Sequence, residues 1–272
     1  MPTSVSSRAA QTFLYGSHIR ANGIRQHYLR YGGKGRPLVI VPGITSPAVT
    51  WGFVGERLGR VYDTYVLDVR GRGLSEGGPD LAYTLDAYAD DLAGLADELK
   101  LRDCAILGHS LGARIAARFG SRHPTASSRL VLADPPLSGP GRRPYSMTLQ
   151  SYMDRIHEAR SGRLDLAAMR KIYPLWEEEH LRLRAEWLHT CDDTAIRESV
   201  RNFQEEEIQS DFAKIRVPAL LIVAGKAGVI DENDLAEVRR LMPAIEVRKV
   251  GTGHMIPFEN AEAFFAALEG FL

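Results

Sequence analysis

The stretch that decides the fold is residues 104–124, CAILGHSLGARIAARFGSRHP. It begins with a short apolar run, passes through the pentapeptide GHSLG (108–112) and continues in a helix-like pattern to Pro124. A strand, a sharp turn and a helix in this order place the central serine at the carboxyl edge of a sheet, within reach of a ligand. Small residues beside Ser110 suit a tight turn in which backbones pass close together. Ser110 is therefore a candidate nucleophile.

Five further apolar runs have the length and composition of buried strands. They are PLVIVPG (37–43), DTYVLDVRG (63–71), RLVLADPP (129–136), ALLIVAG (219–225) and IEVRKVGTGH (245–254). Nearly continuous apolar character is typical of strands that are covered on both faces. Helix-period segments lie at 84–100, 111–124, 232–243 and 260–272, and Thr84 is the predicted N-cap of the first. Alternating strands and helices predict an α/β fold with a mainly parallel sheet and helices on both faces.

The alternation is interrupted once, between about Ser138 and Asp211. The interruption begins with the Gly/Pro-rich stretch SGPGRRP (138–144) and continues as helical sequence rich in charged and aromatic residues. Strand-like sequence resumes at Val217. We therefore predict a helical cap at 138–211, inserted into an α/β core made of residues 1–137 and 212–272.

Composition excludes several classes of partner. The 272 residues include 34 Lys and Arg and 34 Asp and Glu, so the net charge of zero favours neither nucleic acid nor an anionic membrane. The N-terminal MPTSVSSRAAQTF lacks a signal-peptide apolar segment, and no apolar stretch approaches the ~20 residues of a membrane helix. Cys104 and Cys191 make no disulfide framework, and Cys104 is predicted to be buried. We expect a cytoplasmic monomer or homodimer.

A serine hydroxyl needs a base, and histidine is the usual one because its unperturbed pKa lies near neutrality. Among eight histidines, His254 ends the last apolar run and precedes Pro257 and the final helix. A loop at that position brings the ring over the sheet edge that carries Ser110. The other histidines fall in helical or surface sequence, and we predict surface or packing roles for His18, His27, His123 and His180.

The base in turn needs a carboxylate that fixes its tautomer and stabilises the imidazolium. In this class of site the acid falls between the serine and the histidine in the chain. The turn after ALLIVAG holds the residues KAG (226–228) and no carboxylate at its tip. Asp134 closes a strand one position earlier, at the same sheet edge, and is the predicted acid. Asp231, in the acidic first turn of the next helix, is the alternative.

Two backbone N–H groups are needed to stabilise a developing oxyanion. Leu111, directly after the nucleophile, supplies one. The loop VPGITSP (41–47) supplies the other at Ile44, because Pro42 has no N–H. Thr45 and Ser46 either add hydrogen bonds to a substrate or only stabilise the turn.

The stretch DVRGRGLS (68–75) is not a nucleotide-binding loop, because Glu76 stands where the third glycine of G-x-G-x-x-G belongs. No Walker A pattern or Cys/His metal spacing is present. His180 and His189, which flank a run of glutamates, do not form H-E-x-x-H. We therefore expect no cofactor and no metal.

Together these motifs resemble the α/β-hydrolase superfamily along the whole chain. The resemblance rests on PGI (42–44), DVRGRGLS, GHSLG, and GHMIP (253–257). More narrowly, the chain is similar to the N-formylmaleamate deformylases of bacterial nicotinate degradation. The closer match is carried by ANGIRQHYLRYGGKG (21–35), VPGITSPAVTWGFV (41–54), SGPGRRPY (138–145), RAEWLHTC (184–191), GVI (228–230) and GHMIPFE (253–259). That family also lacks a carboxylate after the penultimate strand and uses the aspartate that matches Asp134.

The resemblance implies hydrolysis of N-formylmaleamate to maleamate and formate by Ser110, His254 and Asp134. Because this small-molecule substrate carries a carboxylate, its pocket is expected to offer hydrogen-bond donors or a cation. The candidates for substrate binding are Arg72, Arg143, Tyr145 and His189. Trp187 either forms a wall of the pocket or belongs to the core of the cap.

Two alternatives remain open at this point. The first is a carboxylesterase or a carbon–carbon bond hydrolase of ring-cleavage products, since one fold hosts many reactions. The second is a non-catalytic small-molecule sensor on a hydrolase fold, against which the intact Ser110, Asp134 and His254 weigh. A haloalkane dehalogenase is disfavoured, because its nucleophile is a carboxylate.

Overall fold

The computed structural model describes residues 11–272. The predicted lack of an N-terminal apolar segment concerns mainly residues 1–10, which lie outside the described residues, as does the beginning of the predicted core segment 1–137.

One eight-stranded sheet forms the centre of the molecule. Its strands are β1 (Phe13–Ala21), β2 (Ile24–Tyr31), β3 (Pro37–Val41), β4 (Asp63–Leu67), β5 (Ala105–His109), β6 (Arg129–Ala133), β7 (Ala219–Ala224) and β8 (Glu246–Val250). Their spatial order is β1-β2-β4-β3-β5-β6-β7-β8. Strands β3 to β8 pair parallel with one another, whereas β2 pairs antiparallel with both β1 and β4. The predicted α/β fold with a mainly parallel sheet is confirmed, and all six predicted strands are present.

The antiparallel pair β1 and β2 was not recognisable as a pair of apolar runs. Most side chains of β1 are exposed at the sheet edge, so its sequence lacks the continuous apolar character of the inner strands. His18 and His27 lie on this pair, not in helical sequence. His27 is buried, with its Nδ1 2.6 Å from Asp68 Oδ2, which makes it a hydrogen-bonded packing residue.

Helices cover the sheet and connect its strands. They are α1 (Gly52–Leu58), α2 (Leu85–Glu98), α3 (Leu111–Arg122), α4 (Leu149–Arg160), α5 (Leu166–Ile172), α6 (Glu178–Trp187), α7 (Asp193–Glu205), α8 (Gln209–Phe212), α9 (Glu232–Leu241), α10 (Ile256–Glu259) and α11 (Ala261–Ala266). The prediction for Thr84 is confirmed, since its side chain accepts a hydrogen bond from the Ala87 N–H at the start of α2. The apolar side chains of Leu85, Tyr88, Leu92 and Leu95 in α2 are buried in the hydrophobic core.

Helices α4 to α8 fall between β6 and β7, where the sequence predicts the cap, and no strand lies between residues 138 and 211. Helix α8 crosses the predicted boundary at residue 211. The buried Arg114 of α3 joins the two parts by donating to the carbonyls of Pro136, Asn202 and Glu206. The division into a core and a cap stays a prediction.

Both cysteines are buried and free, as predicted for Cys104. Burial raises the pKa of the Cys104 thiol to about 12 and that of Cys191 to about 11. Both thiols are therefore protonated and unreactive at neutral pH. Between residues 11 and 272, no helix combines the length and the apolar character needed to cross a membrane.

Candidate active site

Ser110 lies in a strained turn between β5 and α3. Its backbone has φ 55° and ψ −117°, a conformation that is costly for a residue with a side chain. The Ser110 N–H donates to the Ala133 carbonyl at 2.9 Å, which anchors the turn to the neighbouring strand. The turn lifts the hydroxyl above the carboxyl edge of the sheet, as the sequence predicts.

Gly108 and Gly112 are required in this turn because there is no room for a side chain at either position. A Cβ at position 108 would lie 2.1 Å from the Gly112 carbonyl oxygen, and a Cβ at position 112 would lie 1.8 Å from the Val41 carbonyl oxygen. Both obstacles are backbone atoms of the packed core, so neither moves easily. The small residues therefore let β3, β5 and α3 approach closely enough to hold the strained serine.

This crowding predicts the effect of Gly112→Ala. The added methyl group forces β3 and α3 apart, and overpacking of this kind costs about 3 kcal/mol of unfolding free energy. Gly120→Ala in the same helix is the matched control, because its Cβ would meet the end of the Leu130 side chain at 2.5 Å. A side chain yields more readily than backbone, so urea denaturation should show the smaller loss for Gly120→Ala. A small loss for Gly112→Ala, no larger than that for Gly120→Ala, would show that the turn tolerates a side chain at position 112.

His254 connects the serine to an acid. Its Nε2 lies 2.9 Å from Ser110 Oγ, and its Nδ1 lies 2.7 Å from Asp134 Oδ2. Because the Nδ1–H donates to the carboxylate, Nε2 is left as the acceptor for the Ser110 hydroxyl. These residues follow β5, β6 and β8, and the parallel sheet brings them together at one edge.

The loop that carries His254 is held from two sides. Glu259 Oε2 accepts the Gly253 N–H at 2.7 Å, and His109 Nε2 donates to the His254 carbonyl at 2.8 Å. Burial, together with the nearby His254, lowers the pKa of His109 to about 3. His109 is therefore neutral at physiological pH and holds the loop without adding charge to the site.

Asp134 is completely buried, at 0% exposure, directly after β6. Its Oδ1 accepts the Ala224 N–H and its Oδ2 accepts the Val229 N–H, both at 3.2 Å. The turn after β7, which holds no carboxylate, thus supplies backbone donors to an acid from the preceding strand. A Cβ at position 228 would lie 3.2 Å from Asp134 Oδ1 and 2.7 Å from the Ala224 carbonyl oxygen, so glycine suits this turn.

The alternative acid, Asp231, has a structural position. Its side chain accepts the Asp234 N–H as the N-cap of α9, and Asp234 returns the bond in a capping box. These hydrogen bonds, with the nearby Arg143, lower the pKa of the Asp231 carboxyl group. Asp231 thus stabilises a helix, whereas Asp134 is the acid in contact with His254.

Leu111 directly follows Ser110, and Ile44 lies in the loop after β3, the strand that pairs with β5. In the described part of the chain, neither N–H donates to another protein group, so both remain available to an oxyanion. Arg72 holds the backbone of this loop in place, because its Nε donates to the Ile44 carbonyl at 2.9 Å. The same guanidinium reaches Tyr88 and Ser199.

A cavity of about 300 Å³ opens above Ser110. This volume matches the lower end of the range for small-molecule sites. Its polar lining comprises Thr45, Ser46, His109, Ser110, Tyr145, Ser146, Tyr152, Arg155, Tyr173, Arg184 and His254. No Asp or Glu is among the described residues of this lining, so its two arginines give the cavity a positive character.

Three of the predicted substrate-binding residues line this cavity, namely Thr45, Ser46 and Tyr145. The other four predicted binders do not line this cavity. Arg72 is enclosed by protein acceptors, and Arg143 pairs with Asp231 and Asp234 beside an adjoining pocket of about 90 Å³. Trp187 and His189 lie at the end of α6 and beyond it, outside the lining, with His189 exposed.

Sequence reasoning missed Arg184 and Arg155 as cavity residues. Both lie in helices of the predicted cap, α6 and α4, where an arginine is ordinarily a surface residue. Arg184 begins the stretch RAEWLHTC, which carries part of the family resemblance, and that position was the available signal. Within residues 11–272, no group of three or more His, Cys, Asp or Glu side chains is arranged to hold a metal ion.

The chain is similar to known proteins over nearly its whole length. The model of the alpha/beta hydrolase family matches residues 38–268. The chain is 53% identical to the N-formylmaleamate deformylase of Pseudomonas putida, over 96% of this chain and 97% of that protein. It is 25% identical to the 2-(acetamidomethylene)succinate hydrolase of Mesorhizobium japonicum, over 90% of each chain.

A solved structure resembles the whole molecule. The crystal structure of an N-formylmaleamic acid deformylase from Pseudomonas putida superposes with a TM-score of 0.90 at 48% identity, covering 94% of this chain and all of that one. The two chains therefore share the same fold over most of their length.

Proposed function

Because the chain belongs to the alpha/beta hydrolase family, we propose that it hydrolyses the formyl C–N bond of N-formylmaleamate to give maleamate and formate. The observation that supports the chemistry is His254, which contacts both the Ser110 hydroxyl and the Asp134 carboxylate. The similarity to the Pseudomonas putida deformylase, with the positive character of the cavity, supports this anionic substrate.

The first half of the reaction forms an acyl-enzyme. His254 Nε2 takes the Ser110 proton as Oγ attacks the formyl carbon, and Asp134 stabilises the resulting imidazolium. The Ile44 and Leu111 N–H groups bind the oxyanion of the tetrahedral intermediate. The C–N bond then breaks, His254 returns its proton to the departing nitrogen, and maleamate leaves.

The second half returns the enzyme to its starting state. His254 takes a proton from a water molecule that attacks the formyl ester of Ser110. The second tetrahedral intermediate uses the same two N–H groups. Its collapse releases formate and gives the proton back to Ser110, so one water is consumed for each substrate cleaved.

The substrate nitrogen lies between two carbonyl groups, so the reaction products show which of the two C–N bonds is cleaved. Cleavage at the formyl side gives formate and maleamate, whereas cleavage at the other side gives formamide and maleate. We expect proton NMR of the wild-type reaction to show formate and maleamate in equal amounts. Formamide and maleate would contradict the proposed orientation, and unchanged substrate would contradict the proposed activity.

A further inference from the structure

Arg184 is a buried cation with no counter-ion among residues 11–272. It is 6% exposed, and it donates to the Thr45 carbonyl, to Thr45 Oγ1 and to Ser46 Oγ. All of these acceptors are neutral, and Arg184 forms no ion pair with a carboxylate of residues 11–272. The buried Arg70 shows the contrast, because its Nε and Nη2 both donate to the Asp91 carboxylate.

The guanidinium of Arg184 also has unused donors. An arginine carries five N–H hydrogens, and the three hydrogen bonds to the loop occupy three of them. The Nε–H has no acceptor within the described part of the chain, although the atom is buried. A buried charge with unsatisfied donors is unfavourable, so an additional hydrogen-bond acceptor would stabilise this side chain.

A ligand in the cavity can supply an anion to Arg184. Arg184 lines the cavity that contains Ser110, and the described lining has no Asp or Glu to neutralise it. The second arginine of the lining, Arg155, is half-buried, with Nη1 3.4 Å from the Tyr173 hydroxyl. Because Arg155 keeps contact with solvent, water already screens its charge, whereas the charge of Arg184 lacks that compensation.

The position of Arg184 places a bound anion near the carbonyl group that is attacked. Arg184 contacts Thr45, the residue next to Ile44, and consecutive Cα atoms lie about 3.8 Å apart. A carboxylate held by Arg184 is therefore near the group that the Ile44 N–H stabilises. N-formylmaleamate has this form, with a carboxylate a few bonds from its formyl carbon and a cis double bond that keeps the two ends close.

We propose that Arg184 is the specificity-determining residue that binds the carboxylate of the substrate. The proposal rests on the function proposed above and deepens it by assigning the anionic end of the substrate. Because the same guanidinium holds Thr45, the carboxylate subsite and the oxyanion loop form one unit. The enzyme is thereby selective for short acyl compounds with a carboxylate at this distance and discriminates against their neutral analogues.

The direct test is calorimetric binding to Ser110→Ala, with maleamate as the anionic probe and the uncharged diamide maleamide as its neutral analogue. The double variant Ser110→Ala/Arg184→Gln should bind maleamate about 30-fold more weakly than Ser110→Ala, because charge-assisted hydrogen bonds are stronger than neutral ones. Maleamide binding should change by less than about threefold on the same grounds. Arg182→Gln is the matched control, because Arg182 lies on the exposed side of α6 and pairs with Glu178.

Three outcomes would overturn the proposal. The first is unchanged maleamate binding in Arg184→Gln. The second is a loss of maleamate binding in Arg155→Gln that is not seen in Arg184→Gln. An equal loss of maleamate and maleamide would show that Arg184 only supports the loop. Arg184→Lys checks against a folding defect, because it keeps the charge without the planar fork and should retain part of the selectivity for maleamate.

This test is independent of the proposed reaction, since maleamate binding needs no turnover. Formate release by the wild type together with unchanged maleamate binding in Arg184→Gln would refute only the carboxylate subsite. Arg184-dependent maleamate binding without any formate release would refute the proposed reaction while retaining the subsite.

Discussion

Replacing Ser110 by alanine lowers the turnover of N-formylmaleamate by about 10⁶-fold, the loss expected when the nucleophile of a serine hydrolase is removed. The hydroxyl is the group proposed to form the acyl-enzyme, and its Oγ lies 2.9 Å from His254 Nε2. The substitution leaves the backbone turn intact and relieves no crowding, so the protein should fold normally. Single-turnover formate release measures the effect.

Ser128→Ala is the matched control for this experiment. Ser128 lies before β6, where its Oγ donates to the Asp103 carbonyl at 3.0 Å, away from the cavity. Its loss should leave turnover unchanged. If Ser110→Ala kept more than about a hundredth of the wild-type rate, direct attack by water would replace the acyl-enzyme mechanism proposed here.

Replacing Asp134 by asparagine is expected to lower turnover by about 10⁴-fold, the effect of a base histidine held in the wrong tautomer. The asparagine amide can donate to Nδ1, and the ring then carries its proton on Nε2, where it cannot accept from Ser110. The amide oxygen still accepts from the Ala224 N–H, whereas the Val229 N–H loses its acceptor because it shares Oδ2 with His254.

The variant Asp231→Asn shows which of the two candidate carboxylates, Asp134 or Asp231, acts as the acid. Asp231 caps α9, and asparagine is also a good N-cap, so both stability and turnover should remain close to those of the wild type. Steady-state formate release by the two variants gives the comparison. Near-full activity in Asp134→Asn together with a large loss in Asp231→Asn would move the acid to the turn after β7.

The positions of the inner strands follow from their sequence, because each is a short apolar run that ends in a turn. The parallel arrangement then brings the ends of β5, β6 and β8 to one edge, which is why Ser110, Asp134 and His254 could be selected without a structure. The edge strand β1 was beyond this reasoning, because its side chains are mostly exposed and its stability depends on pairing with β2.

The substrate-binding residues were harder to select, because their selection depends on where helices of the cap are placed. Arg72 and Arg184 are both arginines close to the oxyanion loop, and the sequence does not show which one faces the cavity. Arg72 faces protein acceptors, including the Ile44 carbonyl and Ser199 of α7. Arg184 reaches the loop from α6 and lines the cavity, a relation that only tertiary packing defines.

The measurement that tests the central proposal most directly is formate release from N-formylmaleamate by the purified wild type, with phenyl acetate hydrolysis followed on the same preparation. We predict formate release with a kcat/KM in the usual enzyme range, about 10⁴–10⁸ M⁻¹s⁻¹, and a lower value for phenyl acetate. Ester hydrolysis without formate release would leave the Ser110–His254–Asp134 mechanism in place and contradict the assigned substrate.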